Sequence, residues 1–448
     1  MKHHFVLAIF WILSAVTAGA STKTLTLPHK TATLSNGLRI VLVKYPSPGV
    51  VAYQMPLRVG SRNEVEAGKT GFAHFFEHLM FRGTKKRTAE EFGQIYNDLG
   101  CENNAWTSDD ITNYHGVVAS VYLPQILDAE ADRFMNLQFD EKALRDESGA
   151  VLGEYNKNVA QPEFLLEEKL RSTAFKKHTY SHTTMGFKED VLQFPERFAD
   201  VWPFFKRYYR PENVSVILVG DIDFDKMLRL VKDKFGDWKG AADAKPSIIP
   251  VEPEQTETRH AEVKLDKPTQ TRLTIAYKIP AFTTKNRDFA SLELLSAIQF
   301  SVTSDFQKEY KFKRKWLDAV DAGALEQADP GLWMINLRLA EAGEGKEAEI
   351  LAAVDQTVAQ VRDHALSAEK IAAAKKRVKN SAVTSWFSSP ETLSGRIAWL
   401  TTFEPDLDVI NRVFERVEET KASDITGFAK RFLTDSRKTV ITLRGSSQ

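Results

Sequence analysis

Between Gly71 and Thr84, apolar Phe72, Phe75, Phe76, Leu79 and Met80 recur at helical spacing, with His74, Glu77 and His78 set between them. The stretch has no proline and reads as a helix. Residues four apart share a helix face, so His74 and His78 point the same way. Two imidazoles at that spacing are half of a tetrahedral zinc site. Glu77 falls beside such a metal without having to bind it, where a carboxylate can take a proton from water. The plainer reading is two structural histidines and a solvated glutamate. Charged groups in so apolar a helix, however, need partners or a metal.

The pattern around this helix alternates strands with amphipathic helices. Lys30 to Val43 predicts a hairpin turning at Asn36-Gly37. Val50 to Val59 predicts a strand whose Pro56 suggests a sheet edge or a bulge. Thr88 to Leu99 reads as a helix, Glu102 to Ser120 as two strands, and Leu123 to Asn136 as a helix. Asp140 is a plausible N-cap for a helix from Glu141 to Val159. There Glu147 and Glu154, two turns apart, share a face. Gly149 and Gly153 lie between them and predict a close approach by a second helix, as a metal site bridging two helices requires. Phe175 to Phe187 reads as a polar loop, in which His178 and His182 are spare candidate ligands. Val214 to Val219 is an apolar run of the kind a buried strand shows.

Pro246, Pro250 and Pro253 punctuate a stretch with little periodicity. The predicted division is a leader at 1–20, a first domain at 21–240, a linker at 241–256 and a second domain at 257–448. The second part repeats the events of the first. A strand at Arg272 to Ile279 precedes a helix at Asp288 to Phe300, which stands where the first part has its histidine helix but has no histidine. A strand around Trp333 to Leu339 follows, then helices at Lys346 to His364, Ala368 to Phe387 and Val417 to Phe432, and a last strand at Thr439 to Leu443. This is the pattern of a diverged duplication.

Composition narrows the classes. At 448 residues the chain exceeds one ordinary core. Lys plus Arg and Asp plus Glu number 60 each, so no basic excess points to nucleic acid or an anionic membrane. Lys2, the apolar run Phe5 to Ala18 and the small residues Ala18-Gly19-Ala20 predict a secretory signal cleaved after Ala20; an uncleaved anchor is the alternative. No second apolar run of spanning length follows. The single cysteine, Cys101, excludes an internal disulfide and reads as a small buried hydrophobe.

The H-F-F-E-H helix, the strand Asn104-Ala105-Trp106-Thr107 and the paired glutamates together resemble the pitrilysin-like zinc metallopeptidases, which include insulin-degrading enzyme and the mitochondrial processing peptidases. The length is similar to that of the short, processing-peptidase-like bacterial branch. The resemblance implies an α+β fold of two homologous α/β-sandwich domains, each a mixed sheet covered by helices, with the metal site in the first only. It implies one Zn2+ per chain on His74, His78 and Glu154, Glu147 supporting a ligand from behind, and Glu77 as general base. It further implies that Asn104, Ala105, Trp106 and Thr107 form an edge strand that pairs with an extended peptide substrate.

The chain departs from the family at one point. An Arg and a Tyr that reach the substrate from the metal-free half align here with Glu309 and Trp316. The expectation is an exported, periplasmic zinc endopeptidase that works with a homologous partner subunit supplying that pair, or as a homodimer. The competing expectation is a non-catalytic structural or chaperone-like member of the family. Zinc hydrolysis of a non-peptide substrate has no support beyond the metal site itself.

Overall fold

The computed structural model describes residues 24–240, 245 and 247–446. The expected leader lies outside the described residues. No described helix is long and apolar enough to cross a membrane.

Two mixed sheets organise the chain. The first is built from β1 (His29–Thr33), β2 (Arg39–Lys44), β3 (Val50–Leu57), β4 (Glu102–Thr107), β5 (Thr112–Ala119) and β6 (Ser215–Gly220), in the order β1-β2-β6-β3-β5-β4. The second holds β7 (Arg259–Lys264), β8 (Arg272–Lys278), β9 (Leu317–Ala324), β10 (Leu332–Leu339) and β11 (Lys438–Arg444), in the order β7-β11-β8-β10-β9. From β2 and β7 outward the two sheets agree strand for strand: a parallel pair, then antiparallel pairs to an edge at β4 or β9. The fold is thus the expected duplicated α+β architecture.

The longer helices are α1 (Phe72–Leu79), α2 (Ala89–Asp98), α3 (Leu123–Asn136), α4 (Glu141–Val159), α5 (Pro162–Ala174), α6 (Phe198–Tyr208) and α7 (Phe224–Phe235) in the first half. The second half has α8 (Asp288–Gln299), α9 (Glu347–Asp363), α10 (Ala368–Trp386), α11 (Pro390–Phe403), α12 (Val409–Glu419) and α13 (Ala422–Phe432). Helix α8 packs against β9 and α10 as α1 packs against β4 and α4.

Strand alternation decides how the halves meet. In β2, Ile40 and Leu42 enter the core of their own half, while Val41 and Val43 join Ile217 and Val219 on the other face. That second face is covered by Leu393, Ile397 and Leu400 of α11, from the other half. The exchange is reciprocal. Leu166, Leu170 and Ala174 of α5 cover Ala276, Ile441 and Leu443 of the second sheet. Each fully buried Leu or Ile is worth about 2 kcal/mol by transfer, so these faces bind the halves firmly.

One short segment between β9 and β10 adds polar stitching. Glu326 accepts from Arg396 Nη2 at 2.5 Å and Trp399 Nε1 at 2.8 Å on α11. Gln327 Nε2 donates to Asp109 Oδ2 at 2.7 Å, and the Ala328 amide to Asp110 Oδ2 at 3.3 Å. Asp329 takes Arg62 Nε at 2.5 Å and meets His178 Nε2 at 3.0 Å. Burial opposes ionisation of Asp329, but His178 and Arg62 together bring it down to about 2.

Four local expectations need correction. Helix α1 is shorter than 71–84. Strand β3 is central rather than an edge, and its ladder with β6 spans only Val51–Gln54, ending before Pro56. Gly149 and Gly153 are exposed, and among the described residues a Cβ placed on either would meet nothing within 4 Å, so no described helix approaches there. The stretch Val417 to Phe432 is broken by extended Thr420, which ends α12, and by Lys421. Cys101 is buried as expected, and burial pushes its thiol up to about 12.

Burial, and then the adjacent Asp109, push Asp110 from 3.8 up to about 7, against Tyr180 and Arg62. A raised folded pKa favours the protonated carboxyl. Its stabilisation is therefore complete below the unfolded value and is lost as pH rises through about 7. Between pH 5 and 8 the wild type should lose roughly 2–3 kcal/mol of stability that Asp110→Asn does not lose. Paired denaturant titrations check this; parallel pH profiles would contradict it.

Candidate metal centre

Helix α1 is fixed at its start and along its back. Gly71, at φ +82°, lies against the Met185 carbonyl, which would stand 2.4 Å from any Cβ added there. The buried Glu64 carboxylate accepts from the Gly71 and Ala73 amides, both at 2.7 Å, and so satisfies free donors of the first turn. Burial raises the Glu64 carboxyl well above its usual range despite these bonds. On the back, Phe75 stacks on Phe194 at 4.5 Å, and Phe72 and Phe76 meet Phe204. The apolar stripe is thus consumed by the core, and His74, Glu77 and His78 face the other way.

They face α4. Glu154 Oε2 lies 3.7 Å from His74 Nε2 and 3.5 Å from His78 Nε2. One donor atom from each of the three falls within 4.8 Å of the others. Ligands around a tetrahedral zinc with bonds near 2.1 Å stand about 3.4 Å apart. These separations are longer than ordinary hydrogen bonds and suit three ligands of one metal. The donor chemistry agrees: burial, and then His78, pull His74 down to about 4, so its ring is neutral and can offer a lone pair. Two imidazoles and a carboxylate fit zinc and leave one position open.

The remaining predicted residues, Asn104 excepted, gather around this cluster. Glu147 is buried on the same face of α4, and its Oε1 lies 2.8 Å from His78 Nδ1. Arg82 Nη2 pairs with Glu147 Oε2. Glu77 is buried; Thr107 Oγ1 donates to its Oε2 at 2.5 Å. Burial first, with Glu154 adding, raises Glu77 to about 6, against the bond from Thr107 and the nearby His78. Ala105, Trp106 and Thr107 line an open cavity of about 520 Å3 with His74, Glu77, His78 and Glu154. Asn104 is exposed and turns its Oδ1 onto the next amide, Ala105 N, at 2.8 Å. Among the described residues strand β4 pairs only with β5, so no strand occupies its other edge there.

The structure leaves four sequence candidates elsewhere. His178 is bound to Asp329, and His182 Nδ1 lies 3.0 Å from the Thr183 carbonyl. Neither joins the cluster. Glu309 is held by Lys313 Nζ at 3.0 Å and Arg314 Nε at 2.7 Å, and Arg314 lies over the Trp316 ring. Neither Glu309 nor Trp316 lines the cavity; from the second half, Leu325 does.

Sequence reading missed Glu64, Arg82, Asp109 and Arg171. Arg82 follows His78 by four residues, a signal that was available. Arg171 on α5 gave none: it reaches the cavity only because α5 lies between the halves.

Residues 39–188 match the model described as insulinase, peptidase family M16, and residues 197–378 match that of the M16 inactive domain. The chain is 28% identical to the zinc protease PqqE of Helicobacter pylori, over 99% of this chain and all of that one. It is 29% identical to the uncharacterized zinc protease YmxG of Bacillus subtilis, over about half of each: 48% and 52%. A crystal structure of a Helicobacter pylori protease superposes with a TM-score of 0.85 at 28% identity, covering 93% of this chain and 99% of that one. The periplasmic protease PqqL of Escherichia coli shares the fold, with a TM-score of 0.77 at 18% identity, over 95% of this chain and 48% of that one. With both of its halves matched in order and a zinc protease aligned along its whole length, the chain belongs to the insulinase, or M16, family of peptidases.

Proposed function

We propose that this chain is an exported zinc-dependent endopeptidase that cleaves peptides or unfolded segments. The observation that carries the reading is the convergence of His74 Nε2, His78 Nε2 and Glu154 Oε2, with Glu77 beside them. His74, His78 and Glu154 would hold one Zn2+. Zinc bound there would polarise the scissile carbonyl and lower the pKa of its water towards about 7.

The other steps belong to the chain's own residues. Glu77 takes the proton of the attacking water and passes it to the leaving amine. Thr107 holds one carboxylate oxygen of Glu77 and leaves the other for that exchange. Glu147, held by Arg82, fixes the His78 ring through Nδ1 and so turns Nε2 to the site. The free edge of Asn104–Thr107 pairs with the backbone of an extended substrate, which tolerates varied side chains. In this reading 21–240 is the catalytic domain, 241–256 the linker and 257–448 the metal-free domain. The leader at 1–20 sends the chain to the periplasm, where the relative PqqL is described as acting. The partner is a second family member, or a second copy, that brings the missing Arg and Tyr to the site.

Glu77→Gln should keep close to one zinc per chain and lose on the order of a hundredfold or more in kcat. Metal analysis alongside a quenched-peptide assay checks this; loss of zinc with the activity would give Glu77 a ligand's role instead.

The two glutamates of α4 should separate. Glu154→Gln should nearly abolish zinc binding, whereas Glu147→Gln should weaken it about ten- to a hundredfold. Competition with a chromogenic chelator measures both, and the reverse order would exchange the assignments.

The purified chain alone should turn over slowly, and a homologous subunit carrying Arg and Tyr should raise its rate at least about tenfold. Full turnover by a chain shown to be monomeric by light scattering would remove the partner from the account.

A further inference from the structure

Resting on the peptidase reading, we infer that Arg171 is a substrate-binding residue, which donates from Nη2 to a backbone carbonyl of the bound peptide just past the end of β4. Arg171 lines the same cavity as the candidate zinc cluster, although only 12% of its side chain is exposed. Three partners fix it in place. Nη1 donates to Asp109 Oδ1 at 3.0 Å and Oδ2 at 3.1 Å, Nε to Glu167 Oε1 at 2.8 Å, and Nη1 reaches the His182 carbonyl at 3.5 Å. Asp109 is itself held by Ser61 Oγ at 2.9 Å and by Gln327 Nε2 at 2.7 Å. Among the described residues Nη2 has no hydrogen-bond partner, and it is not sealed from solvent. The fixed fork thus leaves one nitrogen unused on a residue that lines the cavity, with the ordering cost already met by the fold.

Place and charge identify the acceptor. Asp109 lies two residues beyond Thr107, so a peptide paired along Asn104–Thr107 runs on towards Arg171. Two carboxylates, Asp109 and Glu167, already pair with the one guanidinium and leave a negative charge in excess beside it. A further carboxylate would meet a surplus of its own sign; a neutral carbonyl would not. Arg171 therefore reads the main chain and rewards length, whatever the side chain. It is supplied by the first half of the chain, independent of any partner subunit.

The test is a nested series of quenched peptides, extended one residue at a time on each side of the scissile bond, with the zinc-loaded full-length chain. Wild-type kcat/KM should rise about tenfold at the one extension that reaches Arg171, the usual scale for a hydrogen bond from a charged donor. In Arg171→Gln and Arg171→Lys that step should vanish, as a ratio of long to short peptide within each variant. Lysine keeps the charge facing Asp109 and Glu167 but has no second nitrogen to present, so it separates binding from folding. A uniform loss across all lengths, with a lowered melting temperature, would make Arg171 a strut between α5 and the Asp109 turn and overturn the assignment. A larger step for peptides with Glu at that residue would also overturn it, in favour of a carboxylate acceptor. If no peptide is cleaved by the wild type, the peptidase reading fails; the same series titrated by calorimetry then tests the Arg171 step as binding alone.

Discussion

Each sheet of this protein is apolar on both faces, and neither half has enough helices of its own to cover both. In β2 and β6, Val41, Val43, Ile217 and Val219 would lie bare without α11. In the second sheet, Ile441 and Leu443 depend on α5. The halves are therefore held together by two exchanged helices, and the segment from Glu326 to Asp329 ties both ends of that arrangement. The cavity beside the candidate metal cluster sits at this junction. Its floor and candidate ligands come from the first half, while the second half adds Leu325 and, through Gln327, the anchoring of Asp109 beside the site.

The site itself shows how a sequence with so few polar groups in one helix can be made chemically useful. Five aromatic and aliphatic residues of the α1 segment are spent on the core, which leaves two imidazoles and a carboxylate no direction but towards α4. Burial then works in opposite senses on neighbours. It keeps His74 neutral, as a ligand must be, and raises Glu77 towards the range where a carboxylate can both take and return a proton. Arg82 keeps Glu147 paired, so His78 faces a fixed acceptor at one nitrogen and the proposed metal position at the other.

Much of this was legible because it is local. The spacing of His74, Glu77 and His78 on one helix, the pair Glu147 and Glu154 on another, and the apolar runs of β3 and β6 are patterns within one element. What could not be read depends on which elements meet. Helices α5 and α11 are ordinary in sequence, and nothing in them says that each covers the other half's sheet; Arg171 was invisible for the same reason. The glycines were misread through angle: Gly149 and Gly153 lie two and six residues past Glu147, and at about 100° per residue both fall on the far side of α4. The break at Thr420 carries no glycine or proline, so periodicity ran through it.

All of the proposed chemistry depends on one metal position between α1 and α4. Crystals of the purified full-length chain, grown with zinc and measured on either side of the zinc absorption edge, test it directly. One anomalous peak is expected, bounded by His74 Nε2, His78 Nε2 and Glu154. Its absence, or a peak held by other residues, would contradict the assignment.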